Sequence, residues 1–106
     1  MNKKRIYISG PMTSLTEEQV KTTFFRGSME VALLGYYPVS PHKVSGYPFE
    51  YEEYMQVDLA ILGVCEGIYM LRGWEHSSGA RRELELAKEK GMLIMYQEQE
   101  MDKDDE

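Results

Sequence analysis

Short apolar runs alternate along this chain with longer stretches of helical spacing. Ile6-Tyr-Ile-Ser9 is apolar and β-prone, and Gly10-Pro11 ends it abruptly, which reads as a buried central strand. Thr16-Glu-Glu-Gln19 is a capping-box pattern with acids in the first turn. The helix it starts is expected to run to about Leu34, with Gly35 as its stop and Val20, Phe24, Gly27 and Val31 on one face. Tyr36 to Val39 reads as a second strand. Pro38 places it at a sheet edge, because proline cannot donate to a ladder. Residues 40–49 form a Ser-, Pro-, Gly- and His-bearing loop, and a second helix is expected from about Phe49 to Leu62. Gly67 to Leu71 is a third strand, Ala80 to Lys90 a third helix closed by Gly91, and Met92 to Tyr96 a fourth strand.

Strands that alternate with helices imply right-handed βαβ units and a parallel sheet covered on both faces. The expected fold is a small doubly wound α/β three-layer sandwich of about four parallel strands, ordered 2-1-3-4 by analogy with other doubly wound sheets. One domain fills residues 1–97, and residues 98–106 form an acidic tail expected to be disordered. The stretch from Gly67 to Lys90 is the expected centre of any site. A strand, a glycine-bearing loop (Arg72 to Ser78) and a helix N-terminus set backbone N–H groups and a positive dipole end against an anion.

Two carboxylates break the helical patterns. Asp58 sits in the stripe of Tyr51, Tyr54, Met55 and Leu62 that should face the sheet. Glu83 borders the packing stripe of Ala80, Leu84 and Ala87, whereas Glu85 and Glu89 can face water. Buried carboxylates are costly unless paired or used. Two of them on helices flanking adjacent strands suggest a nucleophile and an acid/base, with environments that separate their pKa values. The alternative is a pair of boundary residues bridged to neighbours such as Arg81 or Arg82. Tyr7, one residue before the end of the first strand, either reaches the site with its hydroxyl or is simply core. Trp74 either stacks on a base or lids its loop.

Composition narrows the choice. Twelve basic against 18 acidic residues give a net charge of −6, and no basic stripe appears, which argues against a nucleic-acid polymer as partner. No apolar run is long enough for a membrane span, and the single cysteine, Cys65, fits a reducing cytoplasm and a core thiol. His42 and His76 lack metal-ligand spacing, so neither a metal nor another cofactor is expected. Gly10-Pro11 is no Gly-x-Gly-x-x-Gly pattern, and no Walker sequence is present.

Three stretches together resemble a family. Ile6-Tyr-Ile-Ser-Gly-Pro-Met12, Tyr54-Met-Gln-Val-Asp-Leu-Ala60 and Gly73-Trp-Glu-His-Ser-Ser-Gly-Ala-Arg-Arg-Glu83 resemble the small, often phage- or prophage-encoded DUF4406 proteins, placed in the nucleoside 2-deoxyribosyltransferase-like superfamily. The resemblance implies cleavage of the N-glycosidic bond of a 2'-deoxynucleoside or its 5'-monophosphate through a covalent glutamyl–deoxyribosyl intermediate. It implies Glu83 as nucleophile, preceded by Ser77-Ser78-Gly79 at the matching spacing, Asp58 as the sugar-binding, proton-shuttling aspartate, and Tyr7 as a hydrogen-bond donor to the nucleophile. Ser9, Gly10, Pro11, Met12, Trp74, Ser77, Ser78 and Gly79 would surround the substrate. Ser77 stands where the nucleotide hydrolases of the superfamily have a phosphate-binding serine, whereas Pro11 replaces a serine of their first loop. A homodimer or larger homo-oligomer is implied as well, with a neighbouring subunit completing the site. The rival expectation is a non-catalytic protein of the same fold that binds a nucleotide or a nucleotide-derived signal.

Overall fold

The computed structural model describes residues 3–41 and 47–98; His42 and most of the acidic tail lie outside them. The described chain runs β1 (Arg5–Ser9), α1 (Glu17–Leu33), β2 (Tyr37–Val39), α2 (Tyr51–Gly63), β3 (Gly67–Met70), a single 3-10 turn (Trp74–His76), α3 (Ser78–Glu89) and β4 (Leu93–Tyr96). The four strands form one sheet in the order β2-β1-β3-β4. Every pairing is parallel, with Ile6 opposite both Pro38 and Gly67, and Gly67 opposite Leu93. The expected doubly wound α/β order is therefore the observed one, and Pro38 lies in an edge strand.

Strand alternation divides the core. Ile6 and Ile8 join Val20, Phe24, Val31, Tyr69 and Leu71 under α1. Tyr7, Ile68 and Met70 join Leu62, Leu84 and Ala87 under α2 and α3. One helix thus covers one face of the sheet and two cover the other. Ser9 has the same parity as Tyr7, so its side chain is delivered to the α2–α3 face.

The helix ends follow their local chemistry. Thr16 Oγ1 accepts from the Gln19 N–H at 3.1 Å, while Gln19 Oε1 accepts from the Thr16 N–H at 2.9 Å, closing the expected capping box. The expected face of Val20, Phe24, Gly27 and Val31 is the buried one. α3 begins two residues before the apolar spacing suggests, because Ser77 serves as its N-cap: the Ser77 hydroxyl accepts from the Ala80 N–H at 3.1 Å.

Gly27 sets how closely α1 lies on the sheet. A Cβ there would stand 2.6 Å from Leu71 Cδ2 and 3.3 Å from Ile8 Cγ2. Gly27→Val should therefore lower stability by about 1–3 kcal/mol through overpacking, read as a lower midpoint in thermal or urea unfolding. Unchanged stability would show that α1 can lift off the sheet without cost.

Candidate functional site

β1 and α3 meet at Glu83. Its carboxylate accepts the Tyr7 phenol on Oε2 at 2.8 Å and the Ser9 hydroxyl on Oε1 at 2.6 Å. Tyr7 and Ser9 are wholly buried and Glu83 is 5% exposed, so an acid has been taken out of water and given two hydroxyl donors instead. A carboxylate offers roughly four lone-pair positions, and two hydrogen bonds leave the others open toward the cavity.

Asp58 lies across that cavity on α2. It is 8% exposed, and its Oδ1 is buried with no hydrogen-bond partner among the described residues. An orphaned buried acceptor costs about 1–3 kcal/mol unless something from outside donates to it. Neither acid is bridged to the arginines beside Glu83. Arg82 pairs with Glu52 at 2.8 Å, and Arg81 donates to the Glu75 carbonyl at 2.8 Å. The boundary-residue reading of the two acids thus fails on geometry.

Burial raises both acids. Loss of water is the main cause of lifting Glu83 from 4.5 to about 7; its Ser9 and Tyr7 hydrogen bonds pull the other way, and the nearby Asp58 charge adds to the rise. Burial alone lifts Asp58 from 3.8 to about 6. On these values a single shared proton would prefer Glu83. The hydrogen bonds point the other way, because both hydroxyls donate to Glu83 while it is unprotonated at those oxygens, and Asp58 Oδ1 has no donor among the described residues to hold its charge. Burial also raises the Tyr7 phenol well above its ordinary value, with the Glu83 charge adding to it, so Tyr7 stays a donor.

The two carboxylates open into a cavity of about 640 Å³. It sits at the carboxyl ends of β1 and β3, where the strand order reverses direction, the usual place for a ligand in an open α/β sheet. Its polar half is walled by Asp58, Glu83, Tyr51, Tyr54 and the start of α3. The N–H groups of Ser78 and Gly79 belong to the first turn of α3 and have no acceptor within the helix, so they face an incoming anion together with the dipole. Ser77 lines the cavity too, but its hydroxyl is engaged as the cap. Tyr51 and Ser78 hydroxyls meet at 3.0 Å and tie α2 to α3 at the rim. Gly79 makes this close approach possible: a Cβ there would lie 3.3 Å from Met55 Sδ.

Gly10 carries the cavity over the end of β1 into an apolar half formed by Ile8, Met12, Leu15, Val20 and Phe24, with Lys21 at its edge. Sequence reasoning placed Gly10 and Met12 here but missed the α1 contribution. Val20 and Phe24 were legible only as core, and no pattern marked Lys21. The remaining expected substrate contacts are elsewhere. Ser9 is buried behind Glu83, and Pro11 packs by Gly73, outside the lining. Trp74 leans on the α3-side core with its ring 5.9 Å from that of Tyr96, also outside the lining. It lids its own loop, because Gly73 at φ 88° turns the chain toward the sheet there.

The arrangement offers a hydroxyl-held carboxylate, a second acid, an anion cradle and an apolar slot around one cavity. A family model described as a domain of unknown function, DUF4406, matches residues 4–96, and the chain belongs to that family. No curated protein matches the chain.

The raised pKa values fix a sign for stability. The folded state holds protons on the Glu83–Asp58 pair more tightly than the unfolded chain does. That stabilising contribution is complete below pH 4.5 and is lost as pH rises through about 7. Across that window the wild-type melting temperature should fall more steeply than that of Glu83→Gln, by a difference worth roughly 2–4 kcal/mol at pH 8 relative to pH 4. Parallel profiles would mean that Glu83 titrates as an ordinary surface acid.

Proposed function

We propose that this member of the DUF4406 family cleaves the N-glycosidic bond of a 2'-deoxynucleoside or its 5'-monophosphate, with Glu83 as nucleophile. The observation that carries this reading is the Glu83 carboxylate, buried and held on both oxygens by Tyr7 and Ser9 at the floor of a cavity it shares with Asp58. An acid fixed this way costs folding energy, and its use in a reaction gives a reason for that cost. The likeness of the three quoted motifs to the nucleoside 2-deoxyribosyltransferase-like superfamily supports the same assignment.

In this mechanism a free lone pair of Glu83 attacks C1' of the deoxyribose. The C1'–N bond breaks and its electron pair leaves with the base, which takes a proton from Asp58. The product of this step is an ester between Glu83 and C1'. Water then attacks C1', gives its proton to Asp58, and releases the sugar with Glu83 restored as a carboxylate. Tyr7 and Ser9 fix the carboxylate and stabilise its charge before attack; in the ester their hydroxyls remain on its oxygens. The first turn of α3 holds the 5' end, and a 5'-phosphate gains most from the dipole and the open N–H groups of Ser78 and Gly79. The base lies in the apolar half, between the β1–α1 loop and Val20 and Phe24.

The reactive state carries one proton on the pair of acids, placed on Asp58. Below about 6 both acids are protonated and the nucleophile is lost; above about 7 both are charged and the acid is lost. Release of free base from a panel of deoxynucleosides and their 5'-monophosphates, read by chromatography, should peak between these values and fall on either side. Glu83→Ala should lower it at least about 10³-fold in a folded protein, and Asp58→Asn by about 10²-fold. A Glu83→Ala protein with full activity would refute the assignment. A nucleotide-induced thermal shift without base release would instead favour the binding-protein reading.

A further inference from the structure

The apolar half of the cavity ends in charge. Glu17, Val20, Lys21 and Phe24 follow one another at i, i+3, i+4 and i+7, so they share one face of α1, and all four line the cavity. Val20 and Phe24 are buried and form the wall of the slot, whereas Glu17 and Lys21 are exposed and stand at its rim. Thr13, in the loop before α1, lines the cavity beside them. Among the described lining residues Lys21 is the one cation, against the carboxylates of Glu17, Asp58 and Glu83. No described carboxylate holds it: the described ion pairs are Arg5–Glu66 and Arg82–Glu52. A lysine in this place lays its stem along an apolar wall and keeps its ammonium at the polar tip.

A flat ring seated on Val20 and Phe24 is covered on its face and presents its edge to that rim. An ammonium has three donors and no acceptor. It attracts an exocyclic oxygen and repels an exocyclic amino group, whose hydrogens point at it. The carboxylate of Glu17 is the complementary group, an acceptor for the ring N–H that lies next to such an oxygen. A phosphate is the poorer occupant at Lys21. It would lie against the apolar wall, away from the open N–H groups of Ser78 and Gly79.

We propose that Lys21 reads the base, donating to the exocyclic oxygen of an oxo base such as hypoxanthine or guanine and so selecting it over adenine. This inference rests on the N-glycosidic reading above and names the base class for the same site. The reaction sharpens the choice. In the reversed pairing adenine gives its amino group to Glu17 and accepts from Lys21 on a ring nitrogen, which satisfies the same rim in the ground state. When the C1'–N bond breaks, its electron pair goes to the base. In an oxo base that charge spreads onto the exocyclic oxygen, where the ammonium lies; adenine has no oxygen to take it. Lys21 keeps its proton throughout, and the proton that leaves with the base still comes from Asp58. The contact is therefore stronger in the transition state than in the bound substrate, and it acts mainly on kcat.

The experiment is release of base from deoxyinosine, deoxyadenosine and their 5'-monophosphates by wild type, Lys21→Met and Lys21→Arg. Calorimetry of both monophosphates on Glu83→Gln, with and without Lys21→Met, reads binding without turnover. Wild type should favour deoxyinosine monophosphate over deoxyadenosine monophosphate by about tenfold or more in kcat/KM. Lys21→Met should lower hypoxanthine release by about 10–100-fold, mainly in kcat, and adenine release by less than about threefold; the range is below that of a buried oxyanion donor because Lys21 is exposed. Lys21→Arg should keep the preference. Lys21 is exposed, and Met and Arg are good helix formers, so melting should be unchanged. A Lys21→Met protein that loses both bases alike, or neither, overturns the proposal. So does a loss confined to the monophosphates whatever the base, which would place the phosphate on Lys21. If wild type releases no base at all, the N-glycosidic reading fails and calorimetry decides this one. A Lys21→Met loss of affinity at least about threefold greater for deoxyinosine monophosphate keeps Lys21 as the base reader, and an equal loss overturns it.

Discussion

The structure depends on one carboxylate held out of water. Glu83 sits more than a turn inside α3, where its side chain must meet the sheet, and β1 meets it with Tyr7 and Ser9 on the same face. These two bonds join residues more than 70 positions apart and lock the first strand to the last helix. They also explain the strand order in functional terms. β1 and β3 lie side by side at the centre of the sheet, so the end of the first strand lies under the helix that follows the third. The cavity forms over that junction.

Energetics and function pull against each other at this point. A Leu or Met in place of Glu83 would pack into the same core without desolvating a charge, and Asp58 adds a buried acceptor with no partner among the described residues. The apolar neighbours on both helices supply the stability that permits this. Two acids with raised pKa values, sharing one cavity, then titrate near neutrality, where one proton divided between them would supply the acid and the nucleophile of the proposed reaction.

Much of this was legible in the chain. Helical spacing singled out Asp58 and Glu83, because an acid within an apolar stripe is visible without a structure. Pro38 marked the edge strand, and Gly35 and Gly91 marked helix ends. The parts that were not legible depend on facing and path. Ser9 reads as a substrate contact at the end of a strand; only its parity with Tyr7 and the reach of α3 reveal that it holds Glu83. Trp74 reads as a stacking residue, yet the turn at Gly73 carries it onto the core. The start of α2 was misplaced because Glu50 is an unusual cap, bonding through its own N–H to Glu53 Oε1 at 2.9 Å. The α1 wall of the cavity follows from how the β1–α1 loop folds back over Gly10, which no periodicity encodes.

The central claim is that Glu83 becomes covalently attached to the sugar. The direct measurement is rapid acid quenching of the protein with each deoxynucleoside 5'-monophosphate, followed by intact-mass and peptide-mass spectrometry. The account predicts a mass gain of one deoxyribosyl phosphate during turnover, confined to the peptide that contains Glu83 and absent from Glu83→Ala. Base release with no adduct, or an adduct on any other residue, would contradict it.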